Sequence, residues 1–203
     1  MPTMLQQTSR SLTAPNPSTH KDQPPKSPTR PDTFRTTRSL SYPTDKRSKT
    51  NLHILVAEDD PTNSTILRKR LEMFGHTVYL TRDGKECASV YREKANCFDA
   101  VLMDLQMPVV DGLTATKMIR ESEQSSAIGQ TPIKKRVPIL VTSSSSTERD
   151  RQVYIDTGFD GWIMKPVGFH RIGDLLDGVY QNELRSSHLY KPGMWDEGGW
   201  FER

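Results

Sequence analysis

Acidic residues stand at the ends of two apolar runs. Leu52-His53-Ile54-Leu55-Val56-Ala57 leads into Glu58-Asp59-Asp60-Pro61, and Ala100-Val101-Leu102-Met103 leads into Asp104. Short continuous apolar runs are the pattern of strands buried on both faces of a parallel sheet. Such sheets place ligands and chemistry at the carboxyl ends of their strands. An Asp inside a buried run is costly unless something partners its charge. If the two strands are neighbours, Glu58, Asp59 and Asp104 meet in one cleft, and three close carboxylates repel unless a cation neutralises them. Hard oxygen ligands that leave room for waters suit Mg²⁺. Two further runs end in complementary groups: one in Thr142-Ser143-Ser144, a source of hydroxyls, the other in Lys165-Pro166, a source of positive charge. An oxygen nucleophile, a metal, a hydroxyl and an ammonium form the inventory for accepting and holding a phosphoryl group.

The elements that must position these groups alternate. Strands are predicted at 52–57, 77–80, 100–103, 137–142 and 161–164. Between them lie helical patterns. Asp60 can cap the first helix with Pro61 at its first position; Ile66, Leu67, Arg70, Leu71 and Phe74 mark its face and Gly75 its end. Further helices are predicted from Gly84 to about Ala95, over Gly112–Arg120, and over Thr147–Thr157 closed by Gly158. The last carries the stripe Ile172, Leu175, Leu176, Val179 at helical spacing. Five βα units imply an α/β fold, a five-stranded doubly wound parallel sheet with helices on both faces. No nucleotide-binding glycine loop follows any strand.

Composition sets the outer limits. Residues 1–50 carry nine Lys/Arg against three Asp/Glu, 8 of the 14 prolines and 17 Ser/Thr, with Phe34 and Tyr42 as their aromatics. The remaining residues are mildly acidic, net −3 within a total of +3. A segment like 1–50 cannot bury enough surface to offset its ordering entropy, so it is read as a disordered arm. Ser27-Pro28-Thr29-Arg30 and Arg35-Thr36-Thr37-Arg38-Ser39 are similar to protein-kinase substrate motifs, weighed against chance matches in so biased a stretch. The arm's charge could attract nucleic acid or anionic lipid without specificity. Without a folded reader, sequence-specific nucleic-acid binding is not expected. Residues 51–183 are read as the folded domain, with 122–136 as an inserted exposed loop ending Lys134-Lys135-Arg136. Residues 184–203 form a tail with Tyr190, Trp195, Trp200 and Phe201, which either folds back on the domain or docks on a partner. Cys87 and Cys97 lack metal-ligand spacing and read as reduced, half-buried thiols of a cytoplasmic or nuclear chain. No run approaches the ~18 apolar residues of a membrane span.

Four stretches, in order, closely resemble the receiver domain of two-component response regulators. They are Leu55-Val56-Ala57-Glu58-Asp59-Asp60, Met103-Asp104-Leu105-Gln106-Met107-Pro108-Val109-Val110-Asp111-Gly112, Pro138-Ile139-Leu140-Val141-Thr142-Ser143, and Lys165-Pro166. The resemblance covers about residues 52–182 and implies a (βα)5, flavodoxin-like, CheY-like fold. It implies that Asp104 is the phosphoacceptor, that Asp59 binds Mg²⁺ directly and Glu58 through water, and that the Gln106 backbone carbonyl completes the ligands. It places Lys165 on the phosphoryl group, with a cis bond before Pro166. Counting from the proline of the fourth strand and back from Lys165, the switch hydroxyl falls on Ser143, where the family usually has Thr. Trp162 stands at the family's switch aromatic, usually Tyr or Phe.

The resemblance thus implies a phosphorelay receiver, not an enzyme beyond self-catalysed phosphotransfer and autodephosphorylation. Its donor would be a hybrid histidine kinase or a histidine phosphotransfer protein, and its output a protein effector that the residues do not name. A lone receiver behind such an arm resembles fungal stand-alone receivers. The alternative in a different class is a scaffold that uses the fold for docking, with phosphorylation incidental. An aspartyl phosphatase of the haloacid dehalogenase type would need a second Asp where Gln106 stands.

Overall fold

The structure, a computed structural model, describes residues 51–125 and 136–202. The arm over 1–50, with its kinase-like motifs, lies outside the described residues, as does most of the stretch read as an inserted loop.

A single sheet organises the rest. Its strands are β1 (His53–Ala57), β2 (Thr77–Thr81), β3 (Ala100–Asp104), β4 (Ile139–Ser143), β5 (Gly161–Met164) and β6 (Gly199–Trp200), in the order β2-β1-β3-β4-β5-β6. The first five run parallel and β6 is antiparallel to β5. The helices are α1 (Pro61–Met73), α2 (Gly84–Lys94), α3 (Gly112–Ser125), α4 (Arg151–Thr157), α5 (Phe169–Asp177) and α6 (Asn182–Ser187). All five residues of β3 and of β4 are buried. Alternation along β1 divides the core. Leu55 and Ala57 pack with residues of α2, α3 and α4, whereas Ile54 and Val56 pack with Leu67, Leu71, Ile172, Leu175 and Leu176 of α1 and α5. Each fully buried Leu or Ile contributes about 1.5–3 kcal/mol, so this double layer is the main source of stability. As expected, Asp60 caps α1, its side chain accepting the Asn63 N–H at 2.7 Å, with Pro61 following. The apolar face of α1 is narrower than its spacing predicts: Leu67 and Leu71 are buried, but Ile66 is 46% exposed.

The structure corrects the sequence reading in four places. The sheet has six strands rather than five, because the tail returns and adds β6 to the β5 edge. The helix expected over Gly112–Arg120 continues to Ser125, so the stretch read as an exposed loop begins as helix. A buried polar network explains this. The Arg120 guanidinium donates to Asp160 Oδ2 at 2.8 Å, to the Gly158 carbonyl at 2.8 Å, to the Val137 carbonyl at 2.9 Å and to Glu123 Oε2 at 2.8 Å. Glu123 in turn accepts the Val137 N–H and the Tyr91 hydroxyl, each at 2.9 Å. A segment that polar reads as loop until its partners are known. Third, the helix expected from Thr147 starts as a 3₁₀ turn over Glu148–Asp150, and α4 follows. Fourth, the cysteines are not alike: Cys87 is buried, its thiol pushed up to about 12 by burial, while Cys97 is exposed.

The tail folds back, the first of the two readings of it. Trp195, Trp200 and Phe201 are buried. The Trp200 N–H donates to the His188 carbonyl at 2.9 Å and the Phe201 N–H to the Asp160 carbonyl at 2.8 Å. Gly199 permits the close approach, since a Cβ there would meet Cη2 of the Trp162 ring at 2.8 Å.

Candidate functional site at the carboxyl edge of the sheet

Strand register delivers the acids. Residues 54–57 of β1 pair with 100–103 of β3, so Glu58 and Asp104 leave adjacent strands at the same level. Ligand atoms of Glu58, Asp59 and Asp104 lie within 4.8 Å of one another. Glu58 and Asp104 are buried and Asp59 is exposed. The loop after β3 folds tightly against this acid. The Gly112 N–H donates to the Leu105 carbonyl at 3.0 Å, and a Cβ on Gly112 would lie 2.2 Å from the Asp104 carbonyl oxygen. Only glycine fits that approach.

Lys165 partners the charge. It follows β5, its N–H donating to the Ser143 carbonyl at 2.8 Å, and the Lys165–Pro166 peptide is cis as expected. Its Nζ lies 2.8 Å from Asp104 Oδ2 and 2.8 Å from Glu58 Oε2. Burial works against the ammonium, but hydrogen bonds and attraction from Asp104 and Glu58 outweigh it and hold the pKa of Lys165 above its ordinary value. The acid left awkward in an apolar run is thus neutralised by a lysine from two strands away.

The remaining expected residues divide. Ser143, Ser144, Gln106 and Lys165 line one cleft of ≈ 690 Å³ together with the three acids. Ser143 lines it and Thr142 does not, in keeping with strand alternation. The Ser143 hydroxyl oxygen accepts the N–H groups of Ser145 at 3.3 Å and Ser146 at 3.2 Å. Trp162 lies outside the cleft. Its ring stacks with Trp195, centroids 4.6 Å apart at 13°, and with Phe201, 5.2 Å apart at 12°, and those two rings lie 6.4 Å from each other. Its Nε1–H donates to the Trp195 carbonyl at 2.7 Å. The sequence reading missed Asn63, whose Nδ2 donates to Glu58 Oε1 at 3.2 Å. The signal was available: a residue three past the Asp60 cap turns back toward the strand end. It also missed the tail aromatics as neighbours of Trp162, a contact that no local spacing encodes.

The donor set fits a hard divalent cation: three carboxylates converge at one strand edge, two of them buried against a single ammonium. No helix among the described residues is long and apolar enough to cross a membrane.

A sheet of this order, parallel over its first five strands, with an acid cluster and a lysine at its carboxyl edge, is a doubly wound α/β fold with its charged groups at the strand ends. The family model for the response regulator receiver domain matches residues 54–177, and the chain belongs to that family. It is 32% identical over 145 residues to the peroxide stress-activated histidine kinase mak1 of Schizosaccharomyces pombe, covering 71% of this chain but 8% of that kinase. Among solved structures, the receiver domain of sensor histidine kinase PA1611 from Pseudomonas aeruginosa, with a magnesium ion coordinated in its active site cleft, is 31% identical. It covers 63% of this chain and 95% of that chain at a TM-score of 0.51. A chain of the co-crystal of the Saccharomyces cerevisiae histidine phosphotransfer protein Ypd1 with the receiver domain of Ssk1 is 26% identical. It covers 61% of this chain and 85% of that chain at a TM-score of 0.53. The protein thus carries a receiver domain of two-component phosphorelay signalling.

Proposed function

We propose that the protein accepts a phosphoryl group on Asp104 from a phosphohistidine of a histidine phosphotransfer protein or hybrid histidine kinase. The observation that carries this is the Lys165 ammonium at 2.8 Å from Asp104 Oδ2, beside Glu58 and Asp59. An oxygen of the Asp104 carboxylate attacks phosphorus, the P–N bond to the donor histidine breaks, and the imidazole leaves with the bonding pair. The product is an acyl phosphate. Lys165 neutralises charge on the transferred oxygens, and the Ser143 hydroxyl donates to one of them. Asn63 and Lys165 orient Glu58. Glu58, Asp59, Asp104 and the Gln106 backbone carbonyl would hold Mg²⁺, which when bound neutralises the phosphoryl charge. Hydrolysis of the acyl phosphate ends the signal, and a protein effector reads the altered surface beside β4 and β5.

The experiment is incubation with acetyl phosphate and Mg²⁺ followed by intact mass measurement. One added phosphoryl group, labile to hydroxylamine and lost in Asp104→Asn, is expected. Transfer from a phosphorylated histidine phosphotransfer protein should give the same product. No uptake by the wild type would leave the docking-scaffold reading in its place.

A further inference from the structure

Ser143 is not free to answer a phosphoryl group without consequence. Its hydroxyl oxygen is held by the N–H groups of Ser145 and Ser146. Ser146 is buried, and its carbonyl accepts Nε1–H of Trp195 at 3.2 Å in a buried contact. Trp195 comes from the C-terminal segment, about fifty residues further along the chain. Its ring lies on Trp162 of β5 and faces Tyr154 of α4 at 6.2 Å and 24°. The segment is fastened on both sides of this contact. The Glu148 carboxylate accepts the Tyr190 hydroxyl and the Gly193 N–H. The Arg171 guanidinium donates to the carbonyls of Glu197 at 2.9 Å and Gly198 at 2.7 Å. The segment therefore grips the loop after β4, strand β5 and helix α5 at once.

We infer that Trp195 is a positioning residue: through the Ser146 carbonyl it holds the loop carrying Ser143 in place, so that docking of segment 188–201 and phosphorylation of Asp104 oppose one another. The inference rests on Asp104 as acceptor and Ser143 as its answering hydroxyl. When that hydroxyl turns toward a phosphoryl group, it either leaves two amides behind or draws them along. Drawing them along pulls the Ser146 carbonyl from the Trp195 indole; leaving them strands the buried Ser146 amide, which is costly. Both routes make the docked segment favour the unphosphorylated loop. Such coupling is reciprocal, so the phosphorylated site must loosen the segment by the factor with which the segment weakens the site.

Trp195→Phe separates the two roles, because it keeps an aromatic stack and removes the N–H. The full chain, wild type and variant, is titrated with beryllium fluoride in the presence of Mg²⁺. Bound fluoroberyllate is read by ¹⁹F NMR, and hydrogen exchange is followed at the Trp200 and Phe201 amides. The variant should bind the fluoroberyllate about threefold to tenfold more tightly, the worth of one hydrogen bond. In the wild type, saturation should speed exchange at Trp200 and Phe201. Equal affinity of the two proteins, or exchange unchanged on saturation, overturns the coupling. Absence of any bound ¹⁹F signal in the wild type overturns the Asp104 reading itself, and the coupling with it. The wild-type exchange measurement stands even where the variant folds poorly.

Discussion

Lys165 Nζ sits 2.8 Å from Asp104 Oδ2, on the carboxylates that a metal ion would share. Lysine and cation compete for the same negative charge. Lys165→Ala should therefore bind Mg²⁺ about fivefold more tightly than the wild type, from the loss of one partly screened repulsion. Isothermal titration calorimetry measures this directly. An unchanged or weaker affinity would mean that the ammonium and the metal occupy separate regions of charge.

Asp160 is a third buried acid, with a structural task. It accepts from Arg120, from Arg136 and from the Ile139 N–H, and its carbonyl receives the Phe201 N–H. Removing it takes one of two carboxylates from the buried Arg120 guanidinium and leaves the buried Ile139 N–H without its acceptor. Asp160→Ala should lower the unfolding free energy by about 3–5 kcal/mol, read from urea denaturation. A loss below 1 kcal/mol would show that the guanidinium finds water instead.

Docking of the C-terminal segment should depend on pH. His188 Nδ1 faces an Arg171 guanidinium nitrogen at 2.6 Å, with Lys191 of its own segment also near and Asp174 of α5 opposing them. Burial, then the Arg171 and Lys191 charges, hold the His188 pKa below its ordinary value. The folded state thus binds fewer protons at this ring than the unfolded state does. Its contribution is present above the unfolded pKa near ~6.5 and is lost as pH falls through the lower folded value. Limited proteolysis of the segment should accelerate below about pH 6 in the wild type and less so in His188→Gln. Equal acceleration in both would assign the effect elsewhere.

Gly199 leaves no room for a side chain. A Cβ there would lie 2.8 Å from Cη2 of Trp162 and 2.9 Å from the His188 carbonyl. Gly199→Ala should cost about 1–3 kcal/mol and shift tryptophan emission to longer wavelength, with phosphoryl uptake at Asp104 retained. Emission identical to the wild type would show that the segment absorbs the added methyl.

Much of the site was legible because the sheet converts linear order into spatial order. Buried parallel strands announce themselves as apolar runs, and whatever follows such a run lands at one edge. Glu58, Asp59, Asp104, Ser143 and Lys165 therefore assemble from sequence alone. What stayed hidden depends on distant partners. The last turn of α3 is polar because Arg120 and Glu123 face Asp160, Val137 and Tyr91, none of which lies nearby in the chain. The sixth strand is two residues long, too short for any periodicity. Trp162 is expected at the switch position on resemblance, yet its burial against Trp195 and Phe201 follows from a segment whose aromatics carry no register signal.

The addition of β6 also bears on how the protein behaves in concentrated solution. Without it, β5 would present a row of unpaired amides and carbonyls beside the bare face of Trp162. An open strand edge next to an apolar patch is a template for other chains. A fragment trimmed to residues 54–177, the span matched by the family, keeps the acid cluster but loses this cover. Self-association and light scattering are the consequence to watch for in such fragments, and the aromatics that look like ornament at the end of the chain are its protection against them.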